Sequence, residues 1–314
     1  MKKTLKWCYI CCLILLFIST WSIFINLDKF YLKDSSRHEL QKRETFLLVL
    51  ITSSVQHSGK RKAIRNSWLK LNSPLSKHIF VVGRKGSQDD EAILLSESSE
   101  FGDLLILPST KDDYNTLSEK VLRAFVHISS TWTFKFLLKC DDDSFVRTPD
   151  IVHELSTRFA KTKNLYWGFF NGNARVKRNG RWRETKWILC DRYLPYALGG
   201  GYVLSHSMVN FIARNHHDLN IYQTEDVSVG TWLAPVNVTR IHDPRFDTEY
   251  LPRGCSNTYL ITHKRTEADM LFFYNNIVNT GKLCDTEFKL RASYLYDWNV
   301  EPSKCCSRTN ASIP

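Results

Sequence analysis

The chain has 314 residues, a net charge of +11, and 43% hydrophobic with 13% aromatic residues. That balance excludes disordered, collagenous and low-complexity classes and leaves room for one large catalytic domain or two small ones. The positive surplus favours anionic partners without choosing among nucleotide phosphates, acidic glycans, membrane headgroups and nucleic acid.

Lys2, Lys3 and Lys6 precede an uncharged run at residues 7–25 (WCYICCLILLFISTWSIFI). As a helix this run reaches about 28 Å, close to the thickness of a bilayer core. No small-residue cleavage site follows it, so it reads as a signal anchor. The positive-inside bias then leaves residues 1–6 as a cytoplasmic tail. Residues 26–45 form a polar stem, and residues 46–314 a lumenal domain. Cys8, Cys11 and Cys12 belong to the anchor. Six further cysteines (Cys140, Cys190, Cys255, Cys284, Cys305 and Cys306) suit a disulfide framework whose pairing stays open. Zinc is disfavoured because no CxxC pair occurs in the lumenal part. Sequons at Asn237 and Asn310 agree with lumenal exposure.

The domain opens with an apolar run at 46–51 (FLLVLI), ended by Thr52, Ser53 and Ser54. A basic helical stretch at 59–70 follows. Apolar runs at 78–82 and 103–107 read as further strands, the second of them closed by Pro108. Residues 117–128 read as an amphipathic helix, and 134–138 as a fourth strand running into Asp141, Asp142 and Asp143. Strands alternating with helices predict an α/β domain with a parallel sheet covered on both faces. Ligands of such sheets bind beyond the C-terminal strand ends, where the three aspartates fall.

Three adjacent carboxylates repel one another, and a divalent cation removes that cost. Side chains alternate along an extended chain. Asp143 is therefore assigned to the metal and Asp141 to the metal or the ribose. Asp142, on the other face, is grouped with the nucleotide ligands. Thr52 and Ser53, ending the first strand, are placed at the nucleotide with Lys120. Arg65 is expected to meet uracil or diphosphate through its planar guanidinium. Gly199, Gly200 and Gly201 let backbone approach a sugar. Trp167, Trp182 and Tyr196 are candidates for stacking on pyranose rings. A basic stretch (Arg175, Lys177, Arg178, Arg181, Arg183 and Lys186) awaits an anionic partner.

In order, residues 64–68 (IRNSW), 139–146 (KCDDDSFV), 193–203 (YLPYALGGGYV) and 225–230 (EDVSVG) resemble the β1,3-glycosyltransferase family of GT-A (Rossmann-like) nucleotide-sugar transferases. Residues 166–170 (YWGFF), 180–184 (GRWRE), 242–250 (HDPRFDTEY), 253–257 (RGCSN), 296–298 (YDW) and the terminal Cys305 and Cys306 are similar to its proteoglycan-linker branch. The resemblance implies inverting transfer of galactose from UDP-α-galactose to the 3-hydroxyl of galactose in Galβ1,4Xyl on a core-protein serine. It implies Mn²⁺, with Mg²⁺ as the other candidate, and a Golgi membrane location. It also makes Asp226 the base and His263 a metal or diphosphate contact, with Glu225 an acceptor ligand or a charge at a helix N-terminus. The basic stretch is then expected to meet acidic residues around the attachment serine. Two alternatives stay open: a β1,3-N-acetylglucosaminyltransferase of the same fold, or a catalytically silent member acting as chaperone or lectin. A nucleic-acid partner is set aside because of the lumenal placement.

Overall fold

The computed structural model describes residues 42–71, 73–84 and 88–308. The expected tail, the anchor at 7–25, most of the stem and Asn310 lie outside the described residues. Among the described residues, no helix is long and apolar enough to cross a membrane.

The strands are β1 (Arg43–Thr52), β2 (Ser76–Arg84), β3 (Leu104–Lys111), β4 (Trp132–Asp141), β5 (Phe145–Val146), β6 (Leu165–Asn171), β7 (Tyr196–Ser205), β8 (Thr239–His242), β9 (Phe246–Asp247), β10 (Gly254–Cys255), β11 (Ile261–Thr262) and β12 (Phe288–Lys289). The helices are α1 (Ser58–Asn66), α2 (Gln88–Phe101), α3 (Leu117–Thr131), α4 (Thr148–Thr157), α5 (His206–Arg214), α6 (Glu225–Trp232) and α7 (Glu267–Thr280). Seven strands make the central sheet in the order β3-β2-β1-β4-β7-β6-β8. The architecture is mixed α/β.

Residues 47–52 of β1 are buried without a break, as expected for a strand covered on both faces. Leu47, Val49 and Ile51 point into one core with Trp68, Phe136 and Leu138. Leu48 and Leu50 point into the other with Val81, Phe125 and Leu137. The two cores fix the register, because a slip of one residue would exchange them.

Two expectations need correction. The sheet is mixed, not parallel throughout: β1, β2 and β3 pair in parallel, but β7 runs antiparallel to both β4 and β6. Pro108 does not end the third strand, which continues to Lys111. β3 is the sheet edge, where a residue without an N–H is tolerated. Of the six lumenal cysteines, Cys255 pairs with Cys284 and Cys305 with Cys306. Cys140 is a buried thiol and Cys190 an exposed one.

Candidate active site

Strands β1 and β4 finish side by side, the Asp142 N–H donating to the Thr52 carbonyl at 3.1 Å. This brings Thr52 and Ser53 against the three aspartates. Thr52 Oγ1 donates to Asp141 Oδ1 at 2.8 Å and Ser53 Oγ to Asp142 Oδ2 at 2.9 Å. Both hydroxyls thus orient the acidic side chains from within the protein. Asp142 turns away from its neighbours, as strand parity requires. Its carboxylate takes His57 Nδ1 at 2.7 Å and Lys60 Nζ at 3.1 Å. His57 and Lys60 were not among the sequence candidates.

Asp143 meets His263 because β5 and β11 pair, Phe145 opposite Thr262. His263 Nε2 lies 2.9 Å from Asp143 Oδ1 and 3.6 Å from Asp141 Oδ2. Asp143 Oδ1 and both His263 ring nitrogens are buried without an aligned hydrogen-bond partner. Buried polar atoms left in that condition call for a ligand. One donor atom from each of Asp141, Asp143 and His263 lies within 4.8 Å of the others. Two carboxylates and an imidazole make a donor set that fits a divalent cation. Lys264 is the one non-glycine residue with positive φ (60°) among the described residues. Its Nζ reaches Asp143 Oδ2 at 3.1 Å. Burial works to raise the Asp143 carboxyl, but His263 and Lys264 outweigh it and hold it well below the usual range.

Lys139 links this acidic tip to the other half of the site. Its fully buried ammonium donates to Asp141 Oδ1 (2.8 Å), to the Gly199 carbonyl (2.8 Å) and to Glu225 Oε2 (2.9 Å). Burial opposes its charge, yet Asp141 and Glu225 keep it above the ordinary lysine value. The other Glu225 oxygen accepts from the Tyr202 hydroxyl. Both Glu225 oxygens are thus engaged inside the protein, where they position Lys139.

Asp226 is the second residue of helix α6 and is partly exposed. Its Oδ2 accepts from the Gly199 N–H at 3.1 Å and its Oδ1 from the Val227 N–H at 2.9 Å. These fix the carboxylate while leaving lone pairs for a hydroxyl. Burial raises its pKa above the usual aspartate value, against the counteracting charge of Lys139. A raised carboxylate is a better base at neutral pH. Gly199 thus ties both halves together, its N–H on Asp226 and its carbonyl on Lys139. Gly200 has a different reason from the sugar approach expected: a Cβ there would meet the His263 ring at 2.7 Å. Gly201 likewise makes room for Ile261, whose Cδ1 would stand 2.7 Å from an added Cβ.

Four other candidates are engaged by partners inside the protein. Arg65 forks onto Asp103 at 2.7 and 2.8 Å and reaches Glu97 at 2.8 Å. Asp103 is pulled down to about 2 by His78 and Arg65 in spite of its burial. The Lys120 ammonium is buried against Asp112 and the Ser53 carbonyl. Trp167 is fully buried and donates to Asp243 Oδ2 at 3.0 Å. Tyr196 sits in a buried aromatic cluster with Trp187, Tyr193 and Tyr222. Trp182 stands edge-on to Tyr250, and His242 bonds the backbone of Phe170 and Tyr294. Asn237 is exposed.

The family model "Galactosyltransferase" matches residues 59–244. Mouse Beta-1,3-galactosyltransferase 6 is 46% identical over 274 residues, which cover 85% of this chain and 84% of that protein. The hydroxyproline O-galactosyltransferase GALT5 of Arabidopsis thaliana is 30% identical over 244 residues, 75% of this chain but 36% of that protein. The UDP-GalNAc:beta-1,3-N-acetylgalactosaminyltransferase 2 of Xenopus tropicalis is 30% identical over 200 residues, 64% of this chain and 40% of that protein. The chain thus spans well under half of the latter two. A matched segment that includes the acidic tip of β4, the glycines of β7 and Asp226, with near full-length similarity to the mouse protein, leaves one conclusion: this chain belongs to the galactosyltransferase family and is a glycosyltransferase enzyme.

Proposed function

We propose that the chain transfers galactose from UDP-α-galactose, with inversion, to the 3-hydroxyl of galactose in Galβ1,4Xyl-O-Ser, building the linkage region of proteoglycans. The observation that carries the reading is the 46% identity to mouse Beta-1,3-galactosyltransferase 6 over 274 residues. That name supports the donor sugar and linkage in this reading, and the similarity of residues 166–170, 180–184 and 242–250 to the linker branch supports the acceptor. Golgi residence as a single-pass type II protein, anchored through residues 7–25 with the catalytic domain lumenal, belongs to the same reading.

In this mechanism Asp226 takes the proton of the acceptor 3-hydroxyl as its oxygen attacks the anomeric carbon of galactose. The bond from that carbon to the UDP oxygen breaks on the opposite face, which converts an α-donor into a β-product. Lys139 and the Gly199 N–H hold Asp141 and Asp226 in place during the transfer. Asp141, Asp143 and His263 would hold the divalent cation, which supplies positive charge for the departing diphosphate.

The full chain given UDP-galactose, Mn²⁺ and a Galβ1,4Xyl acceptor should yield a β1,3-linked galactose, identified by NMR of the product. Preference for UDP-N-acetylglucosamine would hand the chain to the alternative donor. Absence of turnover with and without Mn²⁺ would leave a silent chaperone or lectin. Gly200→Ala should push the His263 ring aside and raise the Mn²⁺ concentration for half-maximal rate by about tenfold or more, the range for groups that orient ligands. A titration of rate against Mn²⁺ checks this, and an unchanged midpoint would remove His263 from the metal set.

A further inference from the structure

The loop of residues 172–195 carries seven lysines and arginines against Glu184 and Asp191. Lys177, Arg183 and Lys186 are exposed and have no ion-pair partner among the described residues. A solvated loop could carry such charge anywhere on the molecule, but this one is pinned to the catalytic side. Glu184 is buried, and its Oε2 accepts from the Gln223 N–H at 2.7 Å, three residues before Asp226. Its Oε1 accepts from the Lys186 N–H at 2.6 Å, and Arg178 reaches the Glu184 carbonyl at 3.4 Å. Trp187 and Tyr193 pack on Tyr222 and Tyr196, clamping the loop to the approach of α6. One acidic side chain therefore ties a basic loop to the base.

The loop is not uniformly charged. Ile188 is 89% exposed, and Trp182 meets the 65% exposed Tyr250 edge-on at 5.2 Å. Basic groups interleaved with bare apolar side chains match a polypeptide that carries acids and apolar residues. A sulfated sugar chain would use the charges alone.

We infer that this loop is the docking surface for the polypeptide part of the acceptor, and that it selects acidic residues beside the serine bearing the sugar. The inference rests on the proposed function, because it needs a protein-linked acceptor. Glu184 anchors the loop beside the approach to Asp226, so acids close to the serine are the ones it favours.

The test uses the full chain in detergent micelles with four acceptors: free Galβ1,4Xyl, the disaccharide on an acidic peptide, the same on a neutral peptide, and a sulfated disaccharide. Transfer to the free disaccharide checks the proposed function separately from the loop. With the wild-type chain the acidic glycopeptide should show a KM lower than the neutral one by roughly tenfold, shrinking as salt is raised, since several exposed charge contacts add to that order. The triple variant Lys177→Glu, Arg183→Glu, Lys186→Glu should erase that advantage while leaving kcat and the free-disaccharide KM unchanged. These changes leave the backbone contacts of the loop intact. Equal KM for acidic and neutral peptides, or an advantage that survives the triple variant, overturns the inference. An advantage shown only by the sulfated disaccharide overturns it in favour of an anionic glycan.

Discussion

Asp226→Asn is expected to lower kcat by about 10²- to 10⁴-fold, the usual worth of a positioned base, while UDP binding with Mn²⁺ stays within about twofold, under half a kcal/mol. The amide keeps the shape of the side chain. One of its two ends must, however, present an NH₂ to the Gly199 or Val227 N–H that the carboxylate now accepts. Loss of that one contact to a charged group costs about 1.5–3 kcal/mol, partly offset by relief of a buried charge, and is too little to unfold the domain. Rate and fold should therefore separate, with at most a modest fall in Tm alongside an inactive enzyme. The pH profile gives a second readout. Burial raises the Asp226 pKa above its ordinary 3.8, and only the ionised form can accept a proton. Activity should hold above the raised value and fall as pH drops through it, so the acid limb of kcat/KM lies above the range of an exposed aspartate. Near-normal turnover by Asp226→Asn, measured with saturating donor, would transfer the role of base elsewhere.

The parts of the site written in local pattern were legible. An apolar run ending in Asp141, Asp142 and Asp143 marks a strand tip, and parity alone separates Asp142 from its neighbours. His263 lies far along the chain, and no local pattern connects it to Asp143. Only family resemblance pointed to it, and the β5–β11 pairing is what brings the two together. The partners that Arg65 finds inside the protein were hidden for a related reason. A guanidinium after the first strand fits a phosphate equally well as a carboxylate, and here it pairs with Glu97 in α2 and Asp103 before β3. Helix α2 has little amphipathic pattern to announce it, so its acid was not in view. The antiparallel half of the sheet was also hidden, because β6 and β7 are joined by the long loop 172–195 with no tight hairpin turn to signal reversal. Lys139 had a signal that went unused. It shares a face with Asp141, two residues on, in a strand otherwise apolar at that end.

Lys139→Met is expected to produce the largest loss of stability together with loss of activity. The ammonium is fully buried and stands between two carboxylates. Removing it leaves Glu225 buried with the Tyr202 hydroxyl alone, and leaves Asp141 to Thr52 and His263. Taking one partner from a buried ion pair costs about 3–5 kcal/mol, roughly 10 °C or more in Tm for a domain of this size. Electrostatics and packing can be told apart by pH. Burial already raises the Glu225 pKa, with Lys139 as the main counterweight, so the variant carries it higher still. A carboxyl whose folded pKa exceeds its unfolded value stabilises the fold below the unfolded pKa and loses that contribution as pH rises. The deficit of Lys139→Met should therefore be smaller at pH 5 than at pH 8. Adding Glu225→Gln removes the orphaned charge and should recover much of the Tm. It should not recover the rate, because the Gly199 carbonyl and Asp141 remain without the ammonium that sets their positions beside Asp226. Thermal melts of the single and double variants at both pH values decide the matter: equal deficits at pH 5 and pH 8 would reduce Lys139 to a packing residue. Restored turnover in the double variant would show that the link between the metal carboxylates and the base is not needed for transfer.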